Sequence, residues 1–318
     1  MNIVVLDGYT LNPGDLSWAP LQQLGTLTVY DRTPLQEVFN RSKSADILIS
    51  NKARVTGDTI EKLANLKYIG LLATGFDNID VDAARRKGIP VCNVPGYSTY
   101  SVAQLTWAFV LELSYGISKR SESVHKGDWS RQSDFSYGHQ SLFELAGKTM
   151  GLVGLGAIGS VVALIAQAFG MQVIASVRDP DKHKDAGIRI VTVEDCFREA
   201  DFVSLHCPLN EATREMVNES LIRQMKPGAF LINTSRGGLI RESDLAGALQ
   251  QGLIAGAALD TLSKEPPEPE NPLLHAPHCS ITPHIAWATK EARERLLKGC
   301  VENIRAFLEG RPKNVVNA

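Results

Sequence analysis

The tightest constraint on this 318-residue chain lies between residues 149 and 169. Thr149-Met150-Gly151-Leu152-Val153 is a short apolar run of the kind buried in a parallel sheet. It passes directly into Gly154-Leu155-Gly156-Ala157-Ile158-Gly159, and residues 160–169 continue with amphipathic helical spacing. In that setting the three glycines differ in what they allow. Gly154 permits the tight turn, Gly156 lets a phosphate approach the backbone, and Gly159 lets helix and strand pack closely. The helix N-terminus then faces the anion. A glycine turn alone often serves only geometry. The strand before it, the helix after it and the next apolar run at 173–176 point to a dinucleotide held by Gly154, Gly156, Ala157, Ile158 and Gly159.

The same rhythm fills the chain. β-rich runs at 3–6, 47–50, 69–73, 91–93, 150–153, 173–176, 202–206, 230–233 and 255–259 alternate with helical stretches, which predicts parallel sheets with helical crossovers. The length exceeds what one core usually fills, so two domains are expected. After Val94-Pro95-Gly96 one long helix spans 99–116, followed by a polar stretch with aromatics from 119 to 140; a domain crossing is placed near Thr99. A second is placed near Pro283, because the helix at about 289–309 has no strand of its own to pack on. The expected fold is α/β, with two doubly wound parallel-sheet domains. Residues 1–98 plus 286–318 form a flavodoxin-like substrate domain, and residues 99–285 form a Rossmann nucleotide domain, with a ligand cleft between them.

Composition removes other classes. The net charge is −2 with charged residues scattered, so no basic block offers a nucleic-acid surface. The longest apolar stretches, such as 105–113, fall short of the roughly 20 residues of a membrane span, and the N-terminus lacks the basic region of a signal peptide. A soluble, cytoplasmic protein is expected. Five cysteines without a Cys-x-x-Cys pair read as reduced packing residues. His275, His278 and Cys279 share one short loop with no second ligand cluster, so no metal site is expected. Ser235 lacks the Gly-x-Ser-x-Gly setting of a hydrolase nucleophile.

Three residue types at successive strand ends carry the chemistry. Arg236 follows the strand at 230–233, and its planar fork suits a carboxylate. Glu265, before Pro266 and Pro267, follows the strand at 255–259. His284 follows Pro283 ahead of the last helix. A carboxylate beside an imidazole stabilises the imidazolium and keeps a proton available for a developing alkoxide. This is the set needed to reduce a small 2-oxo acid or oxidise a 2-hydroxy acid. The strand at 173–176 usually ends in an acid for the adenosine ribose, yet the chain reads Ser176-Val177-Arg178-Asp179, with Val177 at the expected position. Ser176 and Arg178 suit a 2′-phosphate, favouring NADP or use of both cofactors. The alternative is NAD alone, with Asp179 on the ribose and Arg178 solvated.

The Gly154–Gly159 turn, Thr234-Ser235-Arg236-Gly237, Lys264-Glu265-Pro266 and Thr282-Pro283-His284-Ile285-Ala286 together resemble the D-isomer-specific 2-hydroxyacid dehydrogenase family over nearly the whole chain. The resemblance implies that Arg236 orients the substrate, Glu265 binds the second imidazole nitrogen, and His284 is the acid/base. It also implies that Asp260 holds the nicotinamide carboxamide, and that Cys207, Pro208, Thr213, Thr234 and Ser235 line the cofactor. The segments 73–80 and 93–99 with Trp287 are similar to the glycerate dehydrogenase (hydroxypyruvate or glyoxylate reductase) group. By that likeness the Thr74-Gly75 loop receives the substrate carboxylate, with Asn51 beside it, and the protein is a homodimer built through the nucleotide domain and its arm. Tyr100 and Val177 depart from the pattern where acids are expected. Phosphoglycerate or a bulkier 2-oxo acid as substrate, and a nucleotide-sensing corepressor-like protein, are the competing readings.

Overall fold

Parallel strands covered by helices on both faces read as nearly continuous apolar runs, and the fold uses that arrangement twice. The computed structural model describes residues 1–139, 142–183 and 187–318. Its contacts divide the chain into Met1–Ser98 with Trp287–Ala318, and Thr99–Ala286.

In the first unit, β1 (Asn2–Val5), β2 (Thr26–Val29), β3 (Ile47–Ser50), β4 (Tyr68–Leu71) and β5 (Val91–Cys92) pair in parallel in the order β2-β1-β3-β4-β5. The helices α1 (Ala19–Gln22), α2 (Val38–Ser42), α3 (Gly57–Lys62) and α4 (Val81–Arg86) alternate with them. Successive side chains supply opposite faces. Ile3, Val5, Ile47 and Ile49 pack on Leu296, Cys300 and Ile304 of the last helix, whereas Val4, Leu48 and Ile69 pack on Ile60 and Ala83. Thr56 and Asp80 cap α3 and α4 by accepting from the backbone N–H of Thr59 and Ala83.

The second unit holds α5 (Thr99–Tyr115), α6 (Ile117–His125), α7 (Ala157–Ala168), α8 (Val193–Glu199), α9 (Glu219–Ile222) and α10 (Glu242–Gln250). Its sheet, of β6 (Thr149–Val153), β7 (Gln172–Ser176), β8 (Arg189–Ile190), β9 (Phe202–Leu205), β10 (Phe230–Asn233), β11 (Gly256–Leu259) and β12 (Cys279–Ile281), runs β12-β11-β10-β9-β6-β7-β8 with every pair parallel. Strand order reverses between β6 and β9, the place where such sheets bind ligands. The last helix, α11 (Lys290–Leu308), packs in the first unit.

Three strands are absent from the sequence expectations: β2, β8 and β12. All lie at sheet edges, and none has a fully buried residue, so none shows the continuous apolar run that marks the central strands. The long helix at 99–116 closes at Tyr115, because Gly116 turns left-handed at φ +57°. The polar stretch after it opens as α6, whose side chains are all at least partly exposed; Gln140, its far end, lies outside the described residues. Among the described residues no helix is long and apolar enough to cross a membrane.

Candidate active site

In the second unit the glycine turn leaves β6 between β7 and β9. Gly154 stands at φ +104° with its N–H donating to Ser176 O at 2.8 Å. A Cβ on Gly154 would lie 2.8 Å from the His206 carbonyl, and one on Gly159 would lie 2.3 Å from Gly154 O. Gly156, by contrast, has open space around its absent side chain. Two glycines therefore serve close backbone packing, and the third bares the start of α7, where Ala157 and Ile158 follow. The arrangement fits a pyrophosphate against the N-terminus of a 12-residue helix.

Ser176 and Val177 are half-buried at the end of β7 and Arg178 is exposed. Asp179 pairs with Lys182 at 3.3 Å. After β9, Cys207 is half-buried and burial pushes its thiol up to about 11, so it stays protonated at neutral pH. Thr213 donates its hydroxyl proton to Pro208 O at 2.7 Å, closing that loop. His206 accompanies it from the sheet side. Its Nδ1 is buried with no partner among the described residues, and its Nε2 lies 2.9 Å from Ser204 Oγ.

The loop after β10 carries Thr234, Ser235 and Arg236. Thr234 is buried, Ser235 donates its hydroxyl to Leu205 O at 2.8 Å, and the Arg236 guanidinium donates to Ser235 O at 2.9 Å. Gly237 lets this loop touch the next one: a Cβ there would stand 1.9 Å from the carbonyl carbon of Leu262. Glu265 closes that second loop. One of its oxygens accepts from Leu262 N at 3.1 Å, and the other accepts a hydrogen bond from His284 Nδ1 at 2.6 Å. The pair is partly solvated, with 23% of the His284 side chain and 32% of the Glu265 side chain exposed. Nε2 of His284 makes no hydrogen bond among the described residues. Arg236, Glu265 and His284 thus stand on loops of one sheet edge.

His284 itself has φ +54°, a conformation rare outside glycine. Asp260, 1% exposed, holds the segment: Oδ1 accepts from Thr282 Oγ1 at 2.6 Å and Ile285 N at 2.8 Å, and Oδ2 from Ala286 N at 2.8 Å. Burial raises its pKa, and the three hydrogen bonds offset part of the rise. This clamp on the His284 backbone has no counterpart in the sequence reading, which gave Asp260 to the cofactor.

In the first unit, the β3 and β4 ends are tied together. Asn51 is 4% exposed and donates its side-chain amide to Leu72 O at 3.0 Å; Thr74 donates to Val94 O at 3.0 Å, and Gly75 follows it half-buried. The residue that organises this edge is Asp7, unmarked by sequence reasoning. Its carboxylate accepts from the N–H groups of Asn51, Lys52 and Ala53 at 2.7, 2.5 and 2.7 Å. An acid closing the buried run Val4-Val5-Leu6 was the available signal.

Residues 107–286 match the family model described as "D-isomer specific 2-hydroxyacid dehydrogenase, NAD binding domain". The chain belongs to the D-isomer-specific 2-hydroxyacid dehydrogenase family. It is 45% identical over 322 residues to a hydroxypyruvate reductase of Blautia hydrogenotrophica, covering 100% of both chains. It is 38% identical to a glyoxylate reductase of Aeropyrum pernix, over 91% of this chain and 88% of that one. Among solved structures, an acyclic imino acid reductase in complex with NADPH and D-Arg superposes with a TM-score of 0.88 at 35% identity, over 99% of this chain and 100% of the other. As a family member the chain is an NAD(P)-dependent oxidoreductase acting on the CH–OH group of 2-hydroxy acids.

His206 makes the unit pH-sensitive. Burial lowers its pKa from 6.5 to about 4, so the folded state holds the ring neutral while the unfolded chain takes up a proton near the ordinary value. The resulting stability is complete above 6.5 and is lost as pH falls towards 4. The urea midpoint of wild type should therefore fall relative to that of His206→Gln between pH 7 and pH 5. A constant offset across that range would show that the ring is not held neutral.

Proposed function

We propose that this dehydrogenase reduces hydroxypyruvate or glyoxylate to D-glycerate or glycolate, with His284 as the proton donor. The observation that carries the proposal is the 2.6 Å contact of His284 Nδ1 with Glu265 Oε2, which leaves Nε2 for a substrate oxygen. The Gly154–Gly159 turn and the N-terminus of α7 would hold NAD(P)H, which would supply the hydride. His284 gives its Nε2 proton to the carbonyl oxygen as negative charge develops there, and Glu265 stabilises the charged ring before the transfer. Arg236 pairs with the substrate carboxylate and fixes the carbonyl, helped by the backbone of Thr74 and Gly75 next to Asn51. Thr234, Ser235, Cys207, Pro208 and Thr213 border the cofactor through their backbone. Asp260 stays available to the carboxamide only through lone pairs not taken by the His284 segment. The substrate assignment follows the names of the relatives, a hydroxypyruvate reductase and a glyoxylate reductase.

NADP is favoured over NAD. Val177 presents no carboxylate to repel a 2′-phosphate, Arg178 is exposed, and the Asp179 carboxylate is engaged by Lys182. NADPH is the cofactor named with the imino acid reductase. The cytoplasm is the compartment this reading carries. So is a homodimer through the arm after α5: Trp129 and Phe135 are 51% and 90% exposed, beside a groove of about 1030 Å3 lined by Tyr115, Tyr137, Phe143 and Phe230. An apolar surface of that kind is covered in most soluble proteins.

Absorbance at 340 nm with hydroxypyruvate, glyoxylate and pyruvate, each with NADH and NADPH, should fall fastest with hydroxypyruvate and NADPH. Turnover with NADH alone would discard the cofactor preference, and none with any pair would discard the reading. His284→Ala should cut kcat by about 10²–10⁴ with NADPH affinity unchanged; equal small losses in both would contradict its role. Light scattering should give twice the 34.6 kDa chain mass, reduced to one chain by Phe135→Asp with Trp129→Lys; a monomeric wild type would refute the dimer.

A further inference from the structure

The segments that carry His284 and Arg236 are held by side chains of α5, a helix to which the sequence reading gives no part in the chemistry. Ser101, in the first turn of α5, is 5% exposed and donates its hydroxyl to Ala286 O at 2.5 Å. The same Ala286 donates its N–H to Asp260. The peptide units that follow His284 are thus gripped on one side by a carboxylate and on the other by a hydroxyl. Ala286 is itself buried, so water does not compete for either bond. This grip matters because His284 adopts φ +54°, a backbone state that persists only where the surroundings over-determine it.

Further along α5, Thr106 is fully buried and donates its only hydroxyl proton to Val102 O at 2.9 Å. Its 3.0 Å contact with Thr234 Oγ1 is therefore one in which Thr234 donates and Thr106 accepts. Thr234 stands two residues before Arg236. Serine and threonine are poor choices for buried helix positions, where alanine or valine would pack without a polar atom to satisfy. Ser114 of the same helix bonds back to Val110 O, as such residues do when no other partner is offered. Thr106 bonds back to Val102 O in the same way but adds the contact with Thr234, and Ser101 reaches the His284 segment.

We propose that Ser101 and Thr106 are positioning residues of the reaction, Ser101 setting the His284 segment and Thr106 the Arg236 loop. The inference rests on the roles given above to His284 and Arg236. Loss of the Ser101 bond frees the Ala286 carbonyl, lets the strained segment relax, and lengthens the contact between His284 and Glu265. Loss of the Thr106 acceptor frees Thr234 and lets the Arg236 loop drift.

The test compares Ser101→Ala, Thr106→Val and Thr106→Ser with wild type. Ser101→Ala should lower kcat with hydroxypyruvate about tenfold and leave KM for NADPH within about twofold; Thr106→Val should raise KM for hydroxypyruvate about tenfold, with Thr106→Ser close to wild type. The second readout needs no turnover. The proton on His284 Nδ1, followed by NMR, should resonate far downfield in wild type and move upfield in Ser101→Ala, because its short hydrogen bond to Glu265 lengthens. Unchanged kcat and an unchanged resonance would overturn the role of Ser101. Thr106→Ser as impaired as Thr106→Val, or losses only in thermal stability and NADPH binding, would reduce these hydroxyls to packing. Should wild type reduce none of the acids, the functional reading falls, and the Nδ1 proton resonance alone decides whether Ser101 positions His284.

Discussion

Parallel pairing is the constraint on which the rest of this structure depends. Every strand pair in both sheets runs parallel, so within each sheet all C-terminal strand ends reach the same edge. Segments far apart in sequence are brought together there without any direct pairing between them. In the second unit that edge collects the glycine turn after β6, Arg236 after β10, Glu265 after β11 and His284 after β12. In the first it collects Asp7 after β1, Asn51 after β3 and Thr74 after β4. The apolar demands of burial on both faces select the strands, and the loops are left to carry the chemistry.

Three carboxylates at these edges act differently according to their surroundings. Asp7 and Asp260 are 8% and 1% exposed, and each spends its oxygens on three donors, mostly backbone N–H groups. Charge-assisted bonds of this kind are worth about 1.5–3 kcal/mol each, which offsets part of the cost of burying Asp260 and holds each loop in one shape. Glu265 is more open. It uses one oxygen to fix its own loop through Leu262 N and turns the other to His284. The two buried carboxylates thus shape the frame, and the more open one faces the imidazole that the proposed mechanism uses.

The two sheets were legible in the sequence because their central strands are buried and mostly apolar, whereas β2, β8 and β12 were not, because these edge strands bury too little to leave a pattern. Arg236, Glu265 and His284 drew attention because their residue types at successive strand ends fit one reaction, and the structure sets all three on loops of one sheet edge. The scaffold around them left no such trace. Asp7 meets partners 44 to 46 residues away, and Asp260 meets them 22 to 26 residues away. No local period encodes these bonds. For the same reason the resemblance gave Asn51 to the substrate and Ser235 and Thr213 to the cofactor, although their side chains bond to Leu72, Leu205 and Pro208 of the protein itself.

Coupling of His284 to Glu265 is the step on which the proposed chemistry turns. Its most direct test is the single-turnover rate of NADPH oxidation with saturating hydroxypyruvate in wild type and Glu265→Gln. Glutamine keeps the size of the side chain and removes its negative charge, so the rate should fall by about tenfold or more. Equal rates for the two proteins would show that the 2.6 Å contact does not govern the proton, and the mechanism built on it would fail.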